Sequence, residues 1–193
     1  QVESIYVPES VTLFGDYAFA QATLLKTVIL PNNIKIITDK MFQGCKSLTE
    51  IVIPDGVTRI GESAFGGCEK LKSITIPSSL TEIGAGAFHQ CKALKEIKFP
   101  SDISSLKLGA EAFSECTSLR SVKISASTNI KNIPAKAFWK CTMLSEFTFS
   151  NSRTKIENDA FVATKLKTFV LPEGLTEIGD RAFTNCDALE ELT

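Results

Sequence analysis

The chain has 193 residues, 44% of them hydrophobic, with 21 basic and 22 acidic side chains and a formal net charge of −1. So balanced a charge sets up no global field toward nucleic acid or a membrane surface, and no apolar run approaches the roughly 18 residues of a membrane span. Length alone allows one or two domains, but a repeat running from end to end makes residues 1–193 one elongated domain with no linker.

The first unit opens on the alternating triplet Ile5-Tyr6-Val7, is stopped by Pro8, passes Gly15 and reaches Phe19. That phenylalanine returns as Phe42, Phe65, Phe88, Phe113, Phe138, Phe161 and Phe183, at spacings of 23, 23, 23, 25, 25, 23 and 22 residues. Self-similarity at such a period marks a stacked array. The triplet returns as Val28-Ile29-Leu30, Ile51-Val52-Ile53, Ile74-Thr75-Ile76, Ile97-Lys98-Phe99, Val122-Lys123-Ile124, Phe147-Thr148-Phe149 and Phe169-Val170-Leu171. Alternation rich in β-branched residues predicts a short strand with one buried face. Pro31, Pro54, Pro77, Pro100 and Pro172 end it, since proline cannot donate to a ladder, with Ser125 and Ser150 in their place in two units.

A second β-like piece follows, as in Val57-Thr58-Arg59-Ile60, Leu80-Thr81-Glu82-Ile83 and Leu175-Thr176-Glu177-Ile178. Gly61, Gly84 and Gly179 close it, with Gly15 and Gly109 at the equivalent place, and a sharp turn with positive φ is expected there. The segment Ala-Phe-x-x-Cys-x-x-Leu comes next. Ala64, Phe65 and Cys68 can all face inward from one or two helical turns.

One unit exposes its apolar residues on both sides and cannot fold alone. Stacking places Phe on Phe and Ile on Ile in a continuous core, in a body of eight layers on the order of 40 Å long at about 4.8 Å per layer. Connections between its parallel strands are expected to be right-handed. The opening QVESIYVP lies inside a unit and the closing LEELT falls where another strand begins, which suggests an excerpt of a longer array.

Cys45, Cys68, Cys91, Cys116, Cys141 and Cys186 each lie three residues after a repeat phenylalanine, so they are one site copied; Ala22 and Ala163 are read as filling it in the remaining units. Adjacent copies about 4.8 Å apart would need distortion to reach the ~3.8 Å Cβ separation of a disulfide. Buried thiols packed as small hydrophobes are expected. No C-x-x-C pair suggests a metal.

The line L-x-x-I-x-I-P-x-x-V/L-T-x-I-G-x-x-A-F-x-x-C-x-x-L, filled in order by Leu71, Ile74, Ile76, Pro77, Leu80, Ile83, Gly84, Ala87, Phe88 and Cys91, resembles the leucine-rich repeat of the BspA-like class. The departures are Met41 before Phe42, insertions within Ser101–Leu108 and Ser125–Ile133, and a deletion after Phe161. The resemblance implies a right-handed leucine-rich-repeat solenoid, β-rich with a parallel sheet. It also implies a cell-surface or secreted bacterial setting and use in adhesion or protein binding.

No catalytic fingerprint or cofactor motif is present: there is no G-x-S-x-G, H-E-x-x-H, P-loop or Rossmann pattern. His89, the only histidine, holds a variable site after Phe88 and is expected to face solvent. The binding candidates are outward strand residues. One column runs Tyr6, Ile29, Val52, Thr75, Lys98, Lys123, Thr148, Val170, and Lys95 and Arg120 join Lys98 and Lys123 near its centre, beside Glu96. Trp139, the only tryptophan, is a further candidate. The sequence thus reads as a non-enzymatic, cofactor-free, monomeric interaction module with a protein partner, a host extracellular protein among the candidates. The alternatives are a rigid spacer and, with few exposed aromatics, a carbohydrate-binding segment.

Overall fold

The computed structural model describes residues 2–103, 105–125, 128–149 and 155–193. Its organising feature is the phenylalanine column. Successive rings from Phe19 to Phe183 stack with centroids 5.2–5.6 Å apart and planes within 16°. Phe42, Phe65, Phe88, Phe113, Phe138 and Phe161 are fully buried and belong to one continuous core with the repeat Leu, Ile, Ala and Cys residues. Each turn of the solenoid, one coil, therefore shares its interior with its neighbours.

Two parallel ladders flank this core. The first comprises Ser4–Tyr6, Thr27–Ile29, Glu50–Ile51, Ser73–Thr75, Glu96–Lys98, Ser121–Lys123, Glu146–Thr148, Thr168–Phe169 and Glu191–Leu192. Its register pairs Tyr6 with Ile29, Thr75 with Lys98, and Lys98 with Lys123, as the sequence columns require. The hydrogen-bonded sheet is interrupted after Glu50–Ile51 and after Glu146–Thr148. The second ladder comprises Ile36–Ile37, Arg59–Ile60, Glu82–Ile83, Lys107–Leu108, Asn132–Ile133, Lys155–Ile156 and Glu177–Ile178. It breaks after Lys107–Leu108, where the two longer coils meet and, among the described residues, an isolated bridge joins Ser105 to Asn129. Ser150, read as a replacement for the strand-ending proline, lies outside the described residues.

The expected helical turn is absent: the described residues contain no α-helix. In every coil the residues two before and two after the repeat phenylalanine adopt positive φ, for example Ser63 (49°) and Gly67 (73°) around Phe65. A left-handed residue at each end prevents helical continuation. Between them the amides alternate. The Ser63, Phe65 and Gly67 N–H groups donate to Ala85, Ala87 and His89 carbonyls of the next coil at 2.8, 2.7 and 2.7 Å. Gly66 and Cys68 N–H donate within their own coil, to Ser63 and Phe65. The reason is spacing. A helix about 10 Å across does not fit coils set just over 5 Å apart on this side, whereas alternating turns turn the segment into a third inter-coil ladder.

Two local readings also change. Gly15, Gly61, Gly84, Gly109 and Gly179 do not have positive φ; the last four are glycine because the preceding coil passes too close, a Cβ on Gly84 standing 2.6 Å from the Gly61 carbonyl carbon. The cysteine site of the seventh coil is filled by Thr164, not Ala163. Thr164 N–H donates to the Phe161 carbonyl, as each cysteine's does to its own phenylalanine, while Ala163 takes the left-handed position at φ 58°. The deletion therefore falls beyond Thr164.

Candidate protein-binding face

The outward residues of the first ladder are set by strand alternation: Val28, Ile74, Ile97 and Val122 point into the core, so their neighbours point out. Tyr6, Ile29 and Val52 are 67%, 60% and 81% exposed and occupy adjacent coils. Beside Ile29 and Val52, the interruption of the sheet opens a groove of about 450 Å³ bounded on its far wall by Ser73 and Thr75. A second groove of about 410 Å³ is also lined by Val52, together with Asp55, Pro77 and Asp102. Val52 thus borders both depressions.

Lys98 and Lys123 share this face, Lys95 and Arg120 lie at the edge where their strands Glu96–Lys98 and Ser121–Lys123 begin, and all four are exposed. Lys98 reaches Glu96 at 3.9 Å and Lys123 reaches Glu146 at 3.6 Å, both loose, solvent-exposed pairs that contribute little to stability. The sheet face and the edge where its strands begin therefore bring together seven of the eight residues singled out from the sequence. Trp139 is not among them. It lies on the turn segment, its carbonyl accepting the Glu115 N–H at 2.7 Å, and is half-buried with Lys140 Nζ 4.0 Å from its ring centroid. His89, on the same segment, is also half-buried rather than solvent-facing, with Nδ1 shielded and without a hydrogen-bond partner.

The six thiols are free, and five are buried. Each donates to the carbonyl of the phenylalanine one coil back, as Cys68 does to Phe42 at 3.2 Å and Cys141 to Phe113 at 3.1 Å. Burial pushes the Cys45 thiol up to about 11 and raises Cys68, Cys91, Cys116 and Cys141 as well. Such thiols are poor nucleophiles and poor metal ligands. No helix among the described residues is long and apolar enough to cross a membrane.

Six copies of the BspA type leucine rich repeat region match residues 1–110 and 70–190. No curated protein matches the chain. Among solved structures, a leucine-rich repeat protein from Bacteroides ovatus superimposes with a TM-score of 0.87 at 29% identity, over 99% of this chain and 55% of that one. The T. pallidum leucine-rich repeat protein matches with a TM-score of 0.60 at 31% identity, over 86% of this chain and 67% of that one. A leucine rich cell surface protein from Faecalibacterium prausnitzii gives a TM-score of 0.60 at 28% identity, over all of this chain and 59% of that one. The chain spans little more than half the length of the first of these.

Proposed function

Because the chain belongs to the family of BspA type leucine-rich repeat regions, we propose that it is a non-enzymatic module that binds a partner protein through the face of its first ladder. The observation that carries this reading is the exposed row Tyr6, Ile29 and Val52. Three large apolar side chains in adjacent coils, with a groove beside two of them, are costly to leave in water and typical of contact surfaces. The likeness to a protein described as a cell surface protein supports a cell-surface or secreted bacterial setting, in which a host or neighbouring-cell protein is the natural class of partner. No oligomer is needed for the reading, and the module acts as a monomer.

The test is a binding screen against a panel of purified extracellular proteins, repeated with Ile29→Asp/Val52→Asp and Lys98→Glu/Lys123→Glu. Both double variants alter exposed side chains only, so circular dichroism and melting should match the parent while binding falls. A partner that binds both variants as well as the parent overturns the reading. A chain that captures nothing from the panel is instead acting as a rigid spacer.

A further inference from the structure

The sheet face is polarised along the axis of the array. Its first three coils present Tyr6, Ile29 and Val52; the next three present Lys98 and Lys123, with exposed Lys72, Lys95 and Arg120 at the edge where the strands begin. The carboxylates of this face are Glu96 and Glu146, engaged with Lys98 and Lys123, and Glu50, which lines the groove beside Val52. Lys72, Lys95 and Arg120 form one column, for Lys95 N–H donates to the Lys72 carbonyl at 3.0 Å and Arg120 N–H to that of Lys95 at 3.3 Å. Among the described residues, none of the three makes an ion pair.

At several other places charge is answered by opposite charge across the coil gap. Lys26 meets Glu3 at 2.8 Å, Arg59 meets Asp39 at 2.9 Å, Lys107 meets Glu82 at 3.4 Å and Lys155 meets Glu177 at 2.7 Å. Even the acidic column Asp16, Asp39 is satisfied, by the N–H groups of Asp39 and Glu62. Like charges set side by side in neighbouring strands are destabilising. Lys72, Lys95 and Arg120, set side by side in one column, have no such answer among the described residues.

We propose that this face takes an extended, acidic segment of a partner protein, laid along the solenoid axis. Its apolar side chains rest on Ile29 and Val52, and its carboxylates meet Lys72, Lys95 and Arg120. The proposal rests on the sheet-face reading above and adds the chemistry of the partner. The groove between Val52 and Thr75, at the interruption of the sheet, seats an apolar anchor where the apolar and cationic halves join. Four coil steps from Ile29 to Lys123 at about 4.8 Å, matched to about 3.4 Å per extended residue, ask for a segment of roughly six residues. A uniform polyanion fits less well, because it would lay charge on Ile29 and Val52 and bury them against nothing apolar. Arg120 adds a planar fork suited to a carboxylate.

The experiment uses a display library of random short peptides selected on the purified chain, with affinities of the enriched peptides measured by fluorescence anisotropy. Enriched sequences should carry two or more Asp or Glu beside apolar residues. They should bind Lys95→Glu/Arg120→Glu and Val52→Asp at least about tenfold more weakly, and weaken steeply between roughly 0.05 and 0.5 M salt. Peptides that depend on Val52 but are neutral or basic, or that ignore the charge reversal, overturn the acidic partner and leave the sheet-face reading standing. Peptides insensitive to every substitution on this face overturn both. A heparin fragment that binds more tightly than any selected peptide, and is lost on the same charge reversal, overturns the peptide proposal in favour of a polyanion.

Discussion

The thiol of Cys91 donates to the carbonyl oxygen of Phe65, one coil back, at 3.2 Å. The same carbonyl accepts the Cys68 N–H of its own coil at 3.0 Å. A carbonyl has two lone pairs, and the pair of bonds satisfies both in a place no water reaches. The recurrence of cysteine follows: the site needs a group small enough for the core that can still donate to the coil behind. Thr164 meets the size requirement in the seventh coil, its Oγ1 3.2 Å from Cys186 Sγ.

Thiol chemistry should therefore report on folding. With a thiol-reactive dye near neutral pH, half-buried Cys186 is expected to label first. Cys68, Cys91, Cys116 and Cys141 should label only as the chain unfolds. Burial raises these thiols in the folded state, so their contribution to stability is present below the ordinary thiol value of about 9 and is lost as pH climbs through the folded value, about 11 for Cys45. Melting temperatures measured from pH 8 upward should fall across that window, and more shallowly for Cys45→Ala than for the parent.

Truncation within the aromatic column should be severe. Phe88 is fully buried between Phe65 and Phe113, with centroids at 5.2 and 5.3 Å. Phe88→Ala is expected to cost about 3–5 kcal/mol in urea unfolding. An unchanged unfolding midpoint would show that the stack does not carry the core.

Two glycines of the same repeat position should behave oppositely. A Cβ on Gly109 would stand 2.3 Å from the Ala85 nitrogen, whereas one on Gly15 meets nothing within 4 Å. Gly109→Ala should destabilise by about 1–3 kcal/mol, the usual cost of overpacking. Gly15→Ala should be neutral or slightly stabilising, because it restricts the unfolded chain. Thermal melts of the two variants decide it.

The left-handed positions make a second pair. Gly67 has φ 73° and its added Cβ would make only ordinary contacts, at 3.7 and 3.8 Å, so Gly67→Ala isolates the backbone cost. That cost should be about 1–2 kcal/mol. At the preceding left-handed site, Ser63 with φ 49°, Ser63→Gly should recover up to about 1 kcal/mol. Equal stabilities for both variants would place the strain elsewhere.

Much of the architecture was legible because a repeat writes its core into every copy. The spacing from Phe19 to Phe183, the alternation at Ile74-Thr75-Ile76 and the proline after it fix which side chains stack, which face solvent and where each strand stops. These are properties of one coil repeated. What the tertiary structure decided depends on the gap between coils. Turns rather than helix around Phe65, close approach rather than positive φ at Gly84, and Thr164 rather than Ala163 beside Cys186 are all set by a separation of just over 5 Å. So are the half-burial of Trp139 and His89 and the column Lys72, Lys95, Arg120, which meets no opposite charge among the described residues. A side chain's partner in this protein sits some 23 residues away, and whether it finds one is settled by packing across the gap, which no single coil contains.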